Sequence, residues 1–422
     1  MTVSFKTFGC RLNRAETAQF EAGFAAAGFL RVPFGTPADC VVLHTCAVTQ
    51  AAENECLKLI RSLRKKEPQT FLVFVGCAVE TVDSETLRAL GLDLVVPRGQ
   101  KDTLAAFVAG SLRASGRLCP PPSSSLPPEP SRSTRRASLK IQDGCDFFCT
   151  YCIVPHTRGQ PRSQPFEACL DEARALIRAG FHEIVVTGCN IACYADGRRT
   201  LVDLLGALAD LPGLGRLRLG SIEPGTVERE VIAFMADSPK LCKFLHLPIQ
   251  SGDDGMLASM RRRYTVDAVT QTVREALRRM PHLGLGADII AGFPGETPAA
   301  FEKTRAFLEE LPFSNLHIFP YSERPGTPAA AFASAVPEPE RKRRVAELNR
   351  LKARKRADFA RRFIGRAVDV LVEHIDDAGL AHGWTGEYLD CRIGGLSHAH
   401  VTRLVTCVPH ASEKGTLSAR LP

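Results

Sequence analysis

No apolar run in the sequence approaches the roughly 18 residues that a membrane-spanning helix needs. Met1 to Cys10 offers neither the basic nor the apolar segment of a secretory leader. Both absences argue against the oxidising compartments in which disulfides persist, and the expectation is a cytoplasmic protein with no membrane contact. An acidic excess is also missing: 54 Lys and Arg stand against 46 Asp and Glu, a net charge of +8. Cysteine, by contrast, is abundant, with 15 residues. In a reducing compartment such a number points to metal or redox chemistry rather than cross-links, although any one cysteine alone reads as a small buried hydrophobe. The remaining composition, 45% hydrophobic and 24% charged, is that of an ordinary globular chain. At 422 residues it has room for about two to four domains.

The positive charge is concentrated. Between Glu338 and Arg366 there are twelve Lys or Arg against four Asp or Glu, enough to account for the whole excess. The segment has helix-forming composition, with Val345, Leu348, Leu351 and Phe359 near helical spacing. It reads either as a solvated helix or as a face that tracks nucleic-acid phosphates. Residues 114–137 are rich in Pro, Ser and Arg, cannot pack a core, and are expected to form an extended linker. They set a first domain, 1–113, apart from the rest.

Within 1–113, strands and helices alternate. "VSFKTF", "DCVVLHT", "TFLVFVG" and "LDLVVP" read as strands. Helical patterns lie at Ala15 to Ala27, Ala51 to Lys66 and Ser84 to Leu90. Such alternation predicts a parallel sheet covered by helices. Cys10, Cys46 and Cys77 each follow one of the first three strands. Ligand sites of parallel sheets lie beyond the carboxyl ends of the strands, so three cysteines there can converge although far apart in sequence. Three thiolates suit an iron–sulfur cluster with one open iron, or a zinc ion with an open position. Helix N-termini just beyond the turns favour the thiolate forms.

The pattern repeats after the linker. "ASLKIQDG", "HEIVVTG", "GRLRLGSIEP", "KFLHLPIQSG", "LGLGADIIAGFPGE" and "NLHIFPYSERPGT" read as strands. The intervening helices are placed at Phe166 to Ala179, Thr200 to Ala209, Val227 to Ala236, Val266 to Arg279 and Ala299 to Glu310. Six βα units are too few for a closed eight-stranded barrel and predict an open, partial (β/α)6 one, with its site at the carboxyl ends. About 60 residues at the end, with short strands between Gly- and Asp-bearing turns, predict a small β-barrel of a type that often binds oligonucleotides. The first strand end carries "GCDFFCTYCIVPHTRG", with Cys145, Cys149 and Cys152 in CxxxCxxC spacing. On one loop, three such thiolates can hold a cubane cluster and leave one iron free. A zinc ion would need a fourth ligand, which His156 could supply.

CxxxCxxC at the first strand end of a partial β/α barrel resembles the radical S-adenosylmethionine (SAM) superfamily, in which the open iron chelates SAM. "HTCAVT", "CDFFCTYCIVPHTRG", "FLHLPIQSGDD", "DIIAGFPGET" and "YSERPGTPAA" together resemble one branch, the methylthiotransferases, over nearly the whole chain. That resemblance implies two 4Fe-4S clusters. One, on Cys10, Cys46 and Cys77, carries the sulfur to be donated. The other, on Cys145, Cys149 and Cys152, cleaves SAM to a radical that takes hydrogen from the substrate carbon. It also implies SAM contacts by Tyr151, Gly188, Ser221, Glu223, Gln250, Gly292 and Pro294. The domains become an auxiliary-cluster domain (1–113), linker (114–137), radical SAM core (138–336), basic helix (337–362) and an RNA-binding TRAM-like barrel (363–422). The cofactors carry the hard step and the side chains position them, so no catalytic acid or base is assigned.

"FGCRLNRAET" resembles the opening of the members that modify threonylcarbamoyladenosine in tRNA, and the basic segment favours a nucleic-acid partner. The expected substrate is adenosine-37 in a tRNA anticodon loop, which is already unpaired and gains a methylthio group at carbon 2. A flavodoxin- or ferredoxin-like protein is the expected reductant; oligomeric state is not disclosed. The alternatives are a methylthiotransferase for isopentenyladenosine-37 or for a ribosomal-protein aspartate. An iron–sulfur RNA-binding scaffold without turnover is a reading of another class. "TGCNIACY" departs from the family pattern by placing Cys189 and Cys193 at the second strand end.

Overall fold

β-branched and aromatic residues gather in short runs along the first hundred residues, and these runs become a parallel sheet. The computed structural model describes residues 1–117, 135–227 and 229–422. Residues 118–134, which hold most of the expected linker, lie outside the described residues. The chain divides into two compact units: 1–117 with 144–160 and 322–330, and the described residues of 135–143, 161–321 and 331–422.

In the first unit, β1 (Thr2–Thr7), β2 (Leu30–Arg31), β3 (Cys40–Thr45), β4 (Phe71–Gly76) and β5 (Leu94–Val95) form one sheet in the order β2-β1-β3-β4-β5. Every pairing is parallel. The central β3 is buried along its whole length, which is why its sequence shows no alternation. The helices are α1 (Arg11–Ala26), α2 (Gln50–Lys66), α3 (Ser84–Ala89), α4 (Leu104–Ala114) and α5 (Val154–Arg158). Phe20, Phe24, Leu104, Val108 and Leu112 of α1 and α4 pack one face of the sheet. Cys56 and Ile60 of α2 pack with Val41, Leu43, Leu72 and Phe74 in a second cluster. The expected helices are present. α1 begins four residues earlier than expected because Cys10 itself is its N-cap, and α4 has no counterpart among the expected elements.

The second unit opens with β6 (Ala137–Lys140), then a two-stranded ribbon of β7 (Gln142–Asp143) and β8 (Arg162–Ser163). β9 (Glu183–Thr187) follows, with a second ribbon of β10 (Ala195–Asp196) and β11 (Arg199–Thr200). β12 (Arg216–Leu219), β13 (Phe244–Gln250), β14 (Gly284–Ala291) and β15 (Asn315–Pro320) complete the series. The long strands form two parallel three-stranded sheets, β12-β9-β6 and β13-β14-β15, linked by bridges Leu217 to Leu241 and Ser221 to His246. This is the expected open arrangement of six βα strands. Its helices are α6 (Phe166–Arg178), α7 (Leu201–Ala209), α8 (Arg229–Asp237), α9 (Asp254–Ser259), α10 (Val266–Arg279) and α11 (Pro298–Glu310). They bury one face of the strands in a single large core. α12 (Glu338–Arg361) is the basic helix. It anchors through Leu348 and Leu351, and its Arg343, Arg344, Arg354 and Arg361 are ion-paired with carboxylates.

β16 (Val368–Ile375), β17 (Ala381–Thr385), β18 (Asp390–Ile393), β19 (Leu404–Glu413) and β20 (Thr416–Arg420) close into the expected small barrel. Buried charge ties it to the β/α strands. Glu183 accepts from Arg216 Nε (2.5 Å) and Arg218 Nε (2.7 Å). The remaining guanidinium N–H groups donate to the carbonyls of Asp369, Trp384, Thr385 and Gly386. Burial raises the Glu183 pKa, but Arg218 and Arg216 outweigh it and hold the carboxyl down at about 2. A depressed carboxylate gives stability that is present above its unfolded value and lost as pH falls. We therefore expect Glu183→Gln to lower the urea midpoint at neutral pH and to flatten its decline between pH 4.5 and 2, because the stabilisation that titrates there is gone.

Candidate active site

The three strand-end turns of the first unit carry the first cysteine trio. Cys10 caps α1, Cys46 follows β3, and Cys77 opens a 3-10 turn after β4. Two glycines let these turns approach. Gly9 has φ 88°, and a Cβ there would overlap the Cys46 thiol; Gly76 has φ 111°, and a Cβ there would lie 2.6 Å from the Thr45 carbonyl. Burial pushes the Cys46 thiol up to about 11, and the neighbouring Cys10 and Cys77 add to the rise. The Val48 N–H, 3.4 Å from the sulfur, and Arg158 act in the opposite direction.

The same unit holds the second trio. Cys149 is buried, and Cys145 and Cys152 are partly exposed. The Cys145 N–H donates to Gly159 and the Cys152 N–H to Cys149, folding the loop back on itself. Ile153, next to Cys152, packs against Cys77 and Ala47. His156 packs its ring edge-on against Phe148, with centroids 6.2 Å apart.

A buried polar network joins the two trios. Asn13 Nδ2 donates to the carbonyls of Phe8 and Thr45, both at 2.9 Å, fixing the turns that present Cys10 and Cys46. Its Oδ1 accepts from Arg158 Nη2 (2.6 Å) and from the Cys10 thiol (3.7 Å). Arg158, on α5 just after the second trio, also binds both oxygens of Glu16 at 3.0 Å. Lys101 Nζ completes the group, 2.5 Å from Glu16. Burial works against the Glu16 charge, but the His44 ring, Lys101 and Arg158 hold its carboxyl well below the usual range. Burial likewise drives His44 down to about 4, so it is neutral at pH 7. The cluster therefore carries one negative and two positive charges. Arg158 favours the Cys46 thiolate.

Comparison with known proteins shows the family. Residues 139–308 match the model of the radical SAM superfamily, and residues 2–97 that of the uncharacterized protein family UPF0004. A threonylcarbamoyladenosine tRNA methylthiotransferase, MtaB, of Bacillus subtilis strain 168 is 33% identical over 92% of this chain and 89% of its own. The chain belongs to the radical SAM methylthiotransferase family. A tRNA-2-methylthio-N(6)-dimethylallyladenosine synthase of Erythrobacter litoralis is 35% identical over 88% of the chain and 86% of its own. Among solved structures, the radical SAM methyltransferase TsrM of Kitasatospora setae shares the fold at TM-score 0.58 and 16% identity, over 78% of this chain and 76% of that one. This methylthiotransferase is a transferase whose cofactors are two 4Fe-4S clusters and SAM. Two trios of cysteines, one of them beside a net buried positive charge, are a donor set that fits two such clusters.

Asn13, Glu16 and Arg158 were not singled out from the sequence, although each stands inside a quoted motif, "FGCRLNRAET" or "VPHTRG". Arg324 of "YSERPGT" is a similar case. It is buried, and it donates to Glu53 Oε2 (2.6 Å) and Gln50 Oε1 (3.0 Å) at the start of α2, the helix that follows Cys46. The signal was the clustering of polar residues in motifs, but nothing local indicated their partners.

The other expected SAM-contact residues stand at or near strand ends and in the second cysteine loop. Tyr151 lies within the second cysteine loop, whose Thr150 carbonyl accepts from the Ala329 N–H. In the second unit, Gly188 follows β9 and stands against Gln142, where a Cβ would be 2.9 Å from the Gln142 carbonyl. Ser221 follows β12, exposed, and Glu223 beyond it is ion-paired with Arg262. Gln250 ends β13 at φ 73°, buried. Gly292 follows β14 and donates its N–H to Glu296 (2.7 Å), which in turn pairs with Arg344. Pro294 lies buried in the same turn. Cys189 donates to Asp143 Oδ1 (3.6 Å), and Cys193 accepts from Asn190 Nδ2 (3.1 Å).

Proposed function

We propose that the chain inserts a methylthio group at carbon 2 of N6-threonylcarbamoyladenosine-37 in tRNA. The observation that carries the choice of substrate is the opening Gly9-Cys10-Arg11-Leu12-Asn13, which resembles that of the threonylcarbamoyladenosine enzymes. The similarity to the Bacillus subtilis protein of that name over 92% of the chain supports it. A second reading, dimethylallyladenosine-37, is favoured by the 35% identity to the Erythrobacter litoralis protein.

In this reading Cys10, Cys46 and Cys77 hold the sulfur-donating cluster, and Cys145, Cys149 and Cys152 hold the one that binds SAM. Tyr151, Gly188, Ser221, Glu223, Gln250, Gly292 and Pro294 are assigned to SAM contact. When bound, the cofactors supply an organic radical and a transferable sulfur, which side-chain acids and bases cannot provide. The protein contributes position and field. Asn13 holds two thiol-bearing turns at fixed spacing, and Arg158 favours the deprotonated thiol that metal binding requires. The small barrel and the basic helix are assigned to the tRNA, as sources of phosphate contacts. A flavodoxin- or ferredoxin-like protein in the cytoplasm is assigned as reductant. No helix among the described residues is long and apolar enough to cross a membrane.

Modified-nucleoside profiling of a deletion strain tests the substrate. We expect the methylthio form of threonylcarbamoyladenosine to disappear and that of isopentenyladenosine to persist. The opposite pattern rejects the assignment in favour of the second reading.

A further inference from the structure

The strands of the second unit bury alternate residues against their helices: Leu245, Leu247 and Ile249 of β13, Leu285, Ala287 and Ile289 of β14, and Leu316 of β15. The intervening residues point to the other face. There the three neighbouring strands bring together His246, Asp288 and His317. Their donor atoms all lie within 4.8 Å of one another. We propose that His246, Asp288 and His317 form a binding site for a divalent transition-metal cation, distinct from both cysteine trios. The proposal is independent of the substrate assigned above.

The distances carry it. His246 Nε2 and His317 Nδ1 lie 2.9 Å and 3.0 Å from the same oxygen, Asp288 Oδ1. With metal–ligand bonds of roughly 2.1 Å, adjacent ligands on an octahedral ion are about 3 Å apart. Both N···O separations match that edge. A cation can thus take the place of the imidazole protons without a shift of the backbone. Rigidity comes from the sheet: β13 pairs with β14 and β14 with β15, with Asp288 directly opposite His317. His246 is further constrained by Gly286, where a Cβ would overlap its Nδ1. The ring therefore lies flush against β14 with Nε2 towards Asp288. The site is graded in exposure: the His246 side chain is buried at 8%, Asp288 is at 23% and His317 at 45%. An ion can enter from the His317 side while the two deeper ligands are held.

The donor set also selects the ion. Two imidazoles and one carboxylate favour Mn²⁺, Fe²⁺, Co²⁺ or Zn²⁺ over Mg²⁺ or Ca²⁺, and three protein ligands leave coordination positions open for a further ligand. One carboxylate against a divalent ion leaves a net +1, suited to an anionic or carbonyl oxygen ligand. The thiolates of the first unit, by contrast, are soft and match iron–sulfur cores.

The test uses the full chain with both clusters reconstituted and oxidised, so that they contribute no paramagnetic signal. Mn²⁺ is titrated first and then, separately, Co²⁺, and each is followed by electron paramagnetic resonance. We expect about one bound ion per chain. Asp288→Asn and His317→Gln are each expected to weaken binding by about tenfold or more while leaving the cluster absorption unchanged. The Gln variant alters a half-exposed residue, so a folding defect in the Asn variant does not blur the outcome. The site is refuted if neither ion binds, or if both variants bind the ion as tightly as the unaltered chain. The three residues would then be a hydrogen-bonded strut across the sheet.

Discussion

Bound iron is expected to fall from about eight to about four atoms per chain when Cys10, Cys46 and Cys77 are together replaced by alanine. Methylthiolated product should be lost entirely, whereas reductive cleavage of SAM should continue. The reason is the separation of the two thiol sets. One lies on three strand-end turns, the other on a single loop with its own backbone hydrogen bonds. Burial and its neighbours hold the Cys46 thiol protonated, at about 11, so metal binding must displace a proton there and couples the three turns to the cluster. Iron and sulfide analysis, with 5′-deoxyadenosine measured in parallel, checks the outcome. Full iron retention in the triple variant would mean that the trio is not a cluster site.

Replacing Glu16 with glutamine is expected to cost about 3–5 kcal/mol of folding stability, the range for breaking a buried ion pair from one side. Glu16 is almost wholly buried, and it accepts from Arg158 through both oxygens and from Lys101. Glutamine keeps the shape. It nevertheless removes the carboxylate charge that these two cations share, and turns a donor towards donors. The damage extends to the site, because Arg158 also fixes Asn13, and Asn13 fixes the turns of Cys10 and Cys46. Reconstitution should therefore lose part of the first-trio iron as well. Adding Arg158→Met should recover part of the loss by removing one stranded charge. Urea denaturation measures the effect, and a wild-type midpoint in Glu16→Gln would show that the network contributes little.

Much of the architecture was legible in the chain. "DCVVLHT" and "TFLVFVG" are short apolar runs bounded by helical patterns, and strands of that kind become the buried centre of a parallel sheet. The six later strand patterns were readable for the same reason. α4 was not, because "LAAFVAGSLRA" has few polar residues to mark an exposed stripe. The basic helix was legible as a helix but not as a charge-paired one. Arg344 is buried against Glu296, 48 residues away, and no local period announces such a partner.

Sequence alone determined that Cys10, Cys46 and Cys77 stand at the same edge of one sheet. Alternating strands and helices force a parallel arrangement, and a parallel arrangement puts every carboxyl end on one side. Only the tertiary structure decided what surrounds them. Arg158 meets Glu16 and Asn13 across 142 and 145 residues of chain, and His246, Asp288 and His317 meet across three strands. Hydrophobic periodicity is a local property and survives in the sequence. The pairing of buried polar groups depends on which surfaces the packed core brings together, and that is known only once the chain has folded.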